Sequence, residues 1–351
     1  MFTINGRKIG NEYDPYIIAE LSANHGGSIE RAKASIKAAK IAGASAVKMQ
    51  TYTPETMTIE SNKDDFLIKS GLWEGYNLFN LYREAFTPFE WHKELFNYAR
   101  QIGITIFSSP FDETAVDLLS SLDSPAYKIA SFELTDLPLI KYVAKKNKPM
   151  LISTGMASID EIAETLEVCK MNGNNELLLF HCISSYPAPV KDTNLLNIKA
   201  LKKEFEVLVG LSDHTTTNLA STIAVSLGAV AIEKHFKLDQ KDCGPDESFS
   251  ITPDKLKDLV NECSLTKLAM GSTVFTRSSQ EADNMKFRRS IYFINNLKKG
   301  HIISKNDIRR IRPGFGLKPK YFNDIIGLEL CFDVEKGDPV RFECFENNLI
   351  R

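Results

Sequence analysis

The sequence has no long apolar run. No stretch approaches the roughly 20 residues that a membrane-spanning helix needs, and the first residues, MFTINGRKIGNEYD, lack the apolar core of a signal peptide. Charge of either sign is not in excess: 43 Lys and Arg stand against 45 Asp and Glu, and the net charge is -2. The sequence therefore predicts no membrane partner and no nucleic-acid partner.

The cysteines form no recognisable motif. The six cysteines are scattered, with no C-x-x-C pair and no dense framework. Such a distribution is typical of reduced thiols in a cytoplasmic protein, which is the location we expect. A G-x-G-x-x-G phosphate loop is absent as well, which weakens the case for a dinucleotide-binding sheet.

What the sequence does contain is a regular alternation of apolar runs and amphipathic stretches between Tyr16 and about Phe236. The clearest amphipathic stretch predicts a helix that Ser28 caps and Gly43 ends. Eight strands alternating with helices predict a (β/α)8 barrel, and a doubly wound sheet is the structural alternative. The candidate strands are YIIAEL, SAVKMQ, ITIFSS, AYKIAS, PMLIST, ELLLFHC, EVLVGLS and AVAIEKHF.

The chain changes character after the barrel. We predict a barrel unit over residues 1–272, a polar linker over 273–287 and a small β-rich unit over 288–351. The last unit consists of short β-like runs separated by Gly, Pro and Asn.

Polar side chains end every candidate strand. A lone His or Lys at such a place is more often structural, but eight strands that end in this way point to the carboxyl-terminal mouth of a barrel, where active sites lie. The residues singled out are Glu20, Lys48, Gln50, Ser109, Lys128, Ser131, Glu133, Ser153, Ser184, His214, Glu233 and His235.

The residue types narrow the chemistry. Lys48 and Lys128, with serine hydroxyls nearby, suit a small ligand with several negative charges, such as a phosphorylated carboxylate. His214 and His235 follow neighbouring strands, so their imidazoles could share one divalent first-row metal. Asp246, in the stretch CGPDESFS, is either a solvated acid at a Gly-Pro turn or a further group of the mouth.

Several motifs together resemble the sialic acid synthase family. They are AELSANHGG, AVKMQTYTP, SSPFD, YKIASFE, STGMAS, GLSDHT and IEKHF, and the stretches RRSIYF, KKG and RPGFG resemble the antifreeze-like SAF domain of these synthases. The resemblance implies condensation of phosphoenolpyruvate with an amino-sugar aldehyde to a nine-carbon 2-keto acid. It also implies a divalent metal, commonly manganese, with magnesium and cobalt as alternatives, and a domain-swapped homodimer.

The same resemblance implies roles for individual residues. His214 and His235 would bind the metal. Glu20 would act as acid or base, with Glu133 and Glu233 as further catalytic members of the mouth. Phosphoenolpyruvate would contact Lys48, Ser109, Lys128, Ser131, Ser153 and Ser184, and the sugar would contact Gln50, Tyr186, Asp246 and Arg312, the last from the partner's SAF domain.

Within the family, the aromatic-rich stretch from Ser70 to Phe96 is similar to the branch that makes pseudaminic acid. We therefore expect 2,4-diacetamido-2,4,6-trideoxy-L-altrose as the sugar, with N-acetylneuraminate or legionaminate synthesis as the alternative. Ser184 stands where N-acetylneuraminate synthases tend to have Asn. Other interpretations are a Schiff-base aldolase using Lys48 or Lys128, a metal-dependent amidohydrolase, and a non-enzymatic carbohydrate- or ice-binding protein.

Overall fold

The computed structural model describes residues 1–239, 244–272 and 275–345. The chain divides into two compact units, Met1–Gly271 and Ser272–Arg351, and each is described by itself. Among the residues described, no helix has the length and apolar character that crossing a membrane requires.

A hairpin that the sequence reasoning missed opens the first unit. Strands β1 (Phe2–Ile4) and β2 (Arg7–Ile9) pair antiparallel. Asn5 and Gly6 join them with φ angles of 47° and 78°, as the mirror-image turn of a two-residue hairpin requires. Phe2, Ile4 and Ile9 belong to the same buried cluster as residues at the amino ends of the barrel strands, so the hairpin closes that end.

Eight parallel strands then form a closed barrel in chain order, with the last strand paired to the first. The barrel confirms the predicted fold and excludes the doubly wound sheet, and each strand falls on its predicted run. The strands are β3 (Tyr16–Glu20), β4 (Ala46–Thr51), β5 (Thr105–Pro110), β6 (Tyr127–Ile129), β7 (Met150–Ser153), β8 (Leu177–Cys182), β9 (Leu208–Asp213) and β10 (Ala231–His235).

Helices surround the barrel and bury one face against it. In the first, α1, the Ser28 hydroxyl accepts from the Arg31 N–H and Gly43 ends the helix at φ 92°, as predicted. The helices are α1 (Ile29–Ala42), α2 (Pro54–Met57), α3 (Leu78–Ala85), α4 (Phe89–Ile102), α5 (Glu113–Ser121), α6 (Leu137–Ala144), α7 (Ile159–Met171), α8 (Asn197–Phe205), α9 (Leu219–Ser226) and α10 (Pro253–Met270).

The alternation of side chains explains why the buried strand β10 ends in charged residues. Lys234 is fully buried and points outward, where its Nζ lies 2.8 Å from Asp213 Oδ2 and donates to the carbonyl oxygens of Thr215 and Thr217 at 2.8 and 3.0 Å. Its neighbours Glu233 and His235 point into the barrel, since alternate residues of a strand face opposite sides. Lys234 therefore holds the loop after β9 against the outside of the barrel, and its two neighbours face the mouth.

The second unit has its own core. Strands β11 (Ser290–Phe293) and β12 (Ile308–Ile311) pair antiparallel, and isolated bridges such as Leu297–Val334 and Leu330–Phe345 complete the small β-rich unit that the sequence predicts. The described part of the segment interpreted as a linker carries a short helix, α11 (Ser279–Asp283), and a 3₁₀ turn at Asn284–Phe287. Other 3₁₀ turns lie at Asp64–Phe66, Ser131–Glu133, Val190–Asp192, Glu247–Phe249, Pro319–Tyr321 and Phe342–Cys344.

Candidate active site

Two lysines and two glutamates form a buried charge cluster inside the mouth of the barrel. Lys48 Nζ lies 2.6 Å from Glu20 Oε2 and 3.6 Å from Glu233 Oε1. Lys128 Nζ lies 3.1 Å from Glu233 Oε1 and over the ring of Phe180, 5.2 Å from its centroid. All four charged side chains are at most 5% exposed. The desolvation cost of burying these charges is offset because each charge has a partner of opposite sign.

The environment separates the pKa values of the two glutamates. Burial raises the pKa of Glu20 to about 7, against the opposing effect of Lys48. Burial acts in the same direction on Glu233, but the ammonium groups of Lys128 and Lys48 outweigh it and lower its pKa to about 2. Glu233 is therefore a permanent counter-charge, whereas Glu20 can gain or lose a proton near neutral pH, as a general acid or base must.

The pKa values of the two lysines are also shifted in opposite directions. Burial lowers the pKa of Lys128, whereas at Lys48 the carboxylates of Glu20 and Glu233 outweigh burial and raise the pKa. A lysine held in its charged form by two carboxylates is a poor amine nucleophile, which argues against a Schiff base at Lys48. Lys48 and Lys128 each form an ion pair with a glutamate, so both can contribute positive charge to the mouth.

Hydroxyl groups and a glycine extend this cationic region. Lys48 Nζ donates to Ser109 Oγ at 3.3 Å, and Ser153 is buried at the end of β7. A Cβ atom at Gly155 would lie 2.3 Å from Ser184 Oγ and 2.8 Å from Ser131 Oγ. Only glycine therefore lets these two hydroxyls approach the backbone so closely, and Ser184 Oγ is buried there without a hydrogen-bond partner.

The two predicted metal ligands lie side by side. The ring centroids of His214 and His235 are 5.4 Å apart, and burial lowers the pKa of both imidazoles, which favours the neutral form of each ring. The Nδ1–H of His214 can donate to the carbonyl oxygen of Ile183 at 2.9 Å. This leaves the Nε2 lone pair available, as in imidazoles that bind a metal through one nitrogen and donate a hydrogen bond from the other. His235 Nδ1 is buried without a hydrogen-bond partner.

This donor set fits a divalent ion only if other ligands complete it. Within residues 1–239, 244–272 and 275–345, no group of three or more His, Cys, Asp and Glu side chains is arranged to hold a metal. Two neutral imidazoles with the remaining positions left to water and substrate oxygens suit a first-row divalent ion.

Asp246 belongs to the mouth rather than to a solvated turn. It is 9% exposed, it accepts a hydrogen bond from the Ser22 hydroxyl, and its Oδ2 lies 3.6 Å from His235 Nδ1. Burial raises the pKa of its carboxyl group. The Gly-Pro stretch thus brings an acidic side chain from the loop after β10 to the metal-ligand candidates.

Aromatic rings form one wall beside the histidines. Tyr186 lies 4.5 Å from His214 and 5.1 Å from Phe249, centroid to centroid. Trp73, from the loop before α3, lies 5.8 Å from Tyr186 and donates its indole N–H to the Pro245 carbonyl oxygen at 3.1 Å. The start of the predicted aromatic stretch therefore reaches the mouth, whereas Phe79 and Tyr82 belong to α3.

Other predicted residues stand apart from this network. Gln50 is half-buried on β4 in register with Ser109. Glu133 is half-buried, its Oε2 has no hydrogen-bond partner, and burial raises its pKa to about 7. Arg312 is exposed and belongs to the second unit. The roles of these three residues stay predictions.

Sequence reasoning missed two groups of the site. Ser212 donates to Glu233 Oε1 at 3.2 Å and lies 3.4 Å from His214 Nε2. Ser212 lies on β9 two residues before His214, which follows the strand directly, so the alternation of side chains could have signalled that both face the mouth. Phe249 packs 4.7 Å from the His235 ring, and nothing in its local pattern separates it from a core residue.

A closed parallel barrel whose mouth combines paired charges, hydroxyls and imidazoles has the architecture of a barrel enzyme. The NeuB family matches residues 35–275 and the SAF domain matches residues 288–346. The chain therefore belongs to the NeuB family and carries a SAF domain.

Individual proteins agree with this assignment. A pseudaminic acid synthase of Campylobacter jejuni is 44% identical over 326 residues, covering 93% of this chain and 95% of that protein. The pseudaminic acid synthase of Helicobacter pylori is 40% identical over 336 residues, with 95% and 99% covered. A crystal structure of the spore coat polysaccharide biosynthesis protein spsE from Bacillus subtilis matches with a TM-score of 0.67, 33% identity and 99% of both chains covered.

Proposed function

We propose that this NeuB-family enzyme condenses phosphoenolpyruvate with 2,4-diacetamido-2,4,6-trideoxy-L-altrose to give pseudaminic acid and phosphate. Its broader class is nonulosonic acid synthase. The observation that carries the proposal is the buried Lys48–Glu20–Glu233–Lys128 cluster, because it places two cations and one titratable carboxylate together beside two neutral imidazoles.

The lysines and the serine hydroxyls suit the anionic substrate. Phosphoenolpyruvate carries a carboxylate and a phosphate, and Lys48 and Lys128 supply charge for both. The hydroxyls of Ser109, Ser131, Ser153 and Ser184 would donate to the remaining oxygens. Binding of this kind fixes the direction from which the alkene carbon approaches its partner.

The proposed reaction balances without an oxidant or reductant. Carbon 3 of phosphoenolpyruvate forms a bond to the sugar aldehyde carbon, the aldehyde oxygen gains a proton, and positive charge develops at carbon 2. Water adds at carbon 2 and loses a proton, and the adduct then releases phosphate by cleavage of its C–O bond, which leaves the keto group. The Glu20 carboxylate can offset the positive charge and accept a proton, since its pKa of about 7 suits both tasks.

His214 and His235 would hold a divalent metal, with manganese preferred and magnesium or cobalt as alternatives. When bound there, such an ion supplies Lewis-acid polarisation of the aldehyde oxygen. The support for this placement is the pair of neutral rings and the carbonyl of Ile183 that orients one of them.

The aromatic wall supports the choice of sugar. The diacetamido trideoxy sugar presents a methyl group where N-acetylmannosamine presents a hydroxymethyl group, and it carries a second acetamido methyl. Rings such as Trp73 and Tyr186 favour those methyl groups, although each is worth only about 1–3 kcal/mol of discrimination. Gln50, Tyr186 and Asp246 would contact the polar groups of the sugar. N-Acetylneuraminate or legionaminate synthesis remains the alternative.

The test is a comparison of kcat/KM for the two sugars at saturating phosphoenolpyruvate. We expect a clear preference for the diacetamido sugar, with N-acetylmannosamine used poorly. In Trp73→Ala the preference should shrink while KM for phosphoenolpyruvate stays near its normal value, because Trp73 contacts the wall and not the lysines. Equal or better use of N-acetylmannosamine by the unmodified enzyme would contradict the sugar assignment.

Arg312 is the residue through which we expect a second copy of the chain to contribute to the site. We infer a domain-swapped homodimer in which this side chain contacts the sugar in the mouth of the other copy. The support is its exposure, together with a cleft in the second unit that it shares with Arg289, Lys305, Arg309 and Arg310, since such a cationic surface suits an anionic complex.

A further inference from the structure

Ser22 has a backbone conformation that its residue type disfavours. It follows β3 directly, is 3% exposed and has a φ angle of 42°. This is the left-handed region, where a Cβ atom is unfavourable and glycine is the usual occupant. A strained non-glycine residue persists when the surrounding structure holds it there, and such residues cluster at functional sites.

The same residue contacts two carboxylates of the mouth. Its backbone N–H donates to Glu20 Oε1 at 3.1 Å, and its hydroxyl donates to Asp246 Oδ2. Asp246 Oδ2 in turn lies 3.6 Å from His235 Nδ1. One residue therefore connects the titratable carboxylate of the charge cluster to the carboxylate beside the histidines.

Other contacts fix the backbone of the Asp246 loop independently of Ser22. Asn24 Nδ2 donates to the Phe236 carbonyl oxygen at 2.9 Å and to Ser250 Oγ at 2.8 Å, and Ser250 Oγ donates to the Asp246 carbonyl oxygen at 2.6 Å. The Asp246 carboxylate also interacts with the Ala23 backbone, so loss of the Ser22 hydroxyl would remove one of these two contacts while the loop stays in place.

We propose that Ser22 is a positioning residue that holds Asp246 for the amino sugar through its hydroxyl and Glu20 through its N–H, at the expense of backbone strain. The proposal rests on the proposed function, because it takes Asp246 as a sugar contact. A glycine at this position would keep the N–H to Glu20 and relieve the strain, but would lose the hydroxyl. Strain and positioning can therefore be separated by substitution.

The experiment compares Ser22→Gly with Ser22→Ala, which loses the hydroxyl and keeps the strain. We expect Ser22→Gly to melt at or above the temperature of the unmodified protein and Ser22→Ala to melt below Ser22→Gly. In both, KM for the sugar that the unmodified enzyme uses should rise about tenfold or more, the effect of one hydrogen bond to a charged group, with KM for phosphoenolpyruvate nearly unchanged. The matched control is Glu206→Gly, which relieves a φ of 52° at the exposed end of α8 and should leave the kinetics unchanged.

Two results would overturn the inference. Normal kinetics in Ser22→Gly would show that the hydroxyl does not position the sugar contact. A lower melting temperature together with a proportional loss in every kinetic parameter would assign Ser22 a structural role. A double-mutant cycle of Ser22→Gly with Asp246→Ala, measured by urea unfolding, tests the bond itself without turnover, and absence of coupling there would also refute it. Failure of the proposed function is recognised separately, because then the unmodified enzyme releases no phosphate with any sugar.

Discussion

Lys48→Met removes a charge that is paired with both glutamates of the mouth. The ammonium group lies 2.6 Å from Glu20 Oε2 and 3.6 Å from Glu233 Oε1, and the side chain is 5% exposed. Methionine has a similar length and no charge, so the substitution removes the charge and leaves little space. It leaves Glu20, which is fully buried, without its cationic partner.

The magnitude follows from what each carboxylate retains. Glu233 keeps Lys128 at 3.1 Å and the Ser212 hydroxyl at 3.2 Å, so the substitution leaves one carboxylate uncompensated. Removal of one partner from a buried pair costs about 3–5 kcal/mol of unfolding free energy. We expect a value near the lower end of that range, because Glu20, with a pKa of about 7, can escape part of the penalty by taking up a proton.

The double variant Lys48→Met/Glu20→Gln should regain most of that stability, because replacing both charges of a buried pair is often nearly neutral. Lys48→Met should be inactive, and the double variant should be inactive as well although its stability recovers. Urea denaturation of the two single variants and the double variant gives the coupling free energy. A loss below about 1 kcal/mol in Lys48→Met, or a double variant no more stable than Lys48→Met, would refute the reasoning. The control is Lys234→Met, which breaks a buried pair outside the mouth and should lower stability while leaving KM for phosphoenolpyruvate unchanged.

Three further predictions concern protons, metal and assembly. The pKa of Glu20 in the folded protein, about 7, lies above its ordinary value of 4.5, so its contribution to stability is full below pH 4.5 and is lost as the pH rises through 7. The urea midpoint of Glu20→Gln should therefore fall less between pH 5 and 8 than that of the unmodified protein. Equal falls would contradict the assignment. His214→Ala and His235→Ala should each abolish turnover, as should a chelator reversibly, whereas full activity of a metal-stripped preparation would exclude a metal role. Mixing Glu20→Gln chains with Arg312→Ala chains should restore part of the activity through mixed dimers, and no restoration would argue that Arg312 does not act across chains.

Much of the barrel could be predicted because its signals are local and repeated. Each of the eight strands is a short apolar run with a polar end, and residues such as Lys48, His214 and Glu233 mark those ends. The parallel topology then brings the ends together without further information. The hairpin at Asn5–Gly6 had an equally local turn signal and was overlooked.

Features that depend on contacts distant in sequence could not be predicted. Lys234 and Glu233 are adjacent in the chain, and only the strand's orientation in the barrel places one against the loop after β9 and the other in the mouth. The hydrogen bond from Ser22 to Asp246 joins residues 224 positions apart. Likewise, the elevated pKa of Glu20 depends on burial, which no local pattern encodes.

The central claim is that this mouth joins phosphoenolpyruvate to an amino-sugar aldehyde with cleavage of the C–O bond. The most direct measurement uses phosphoenolpyruvate labelled with oxygen-18 at its bridging oxygen, with the diacetamido sugar as partner, and follows the label in phosphate and in the nine-carbon keto acid by mass spectrometry and phosphorus NMR. The account predicts that the label appears in phosphate. Label retained in the keto acid would mean attack at phosphorus and would contradict it.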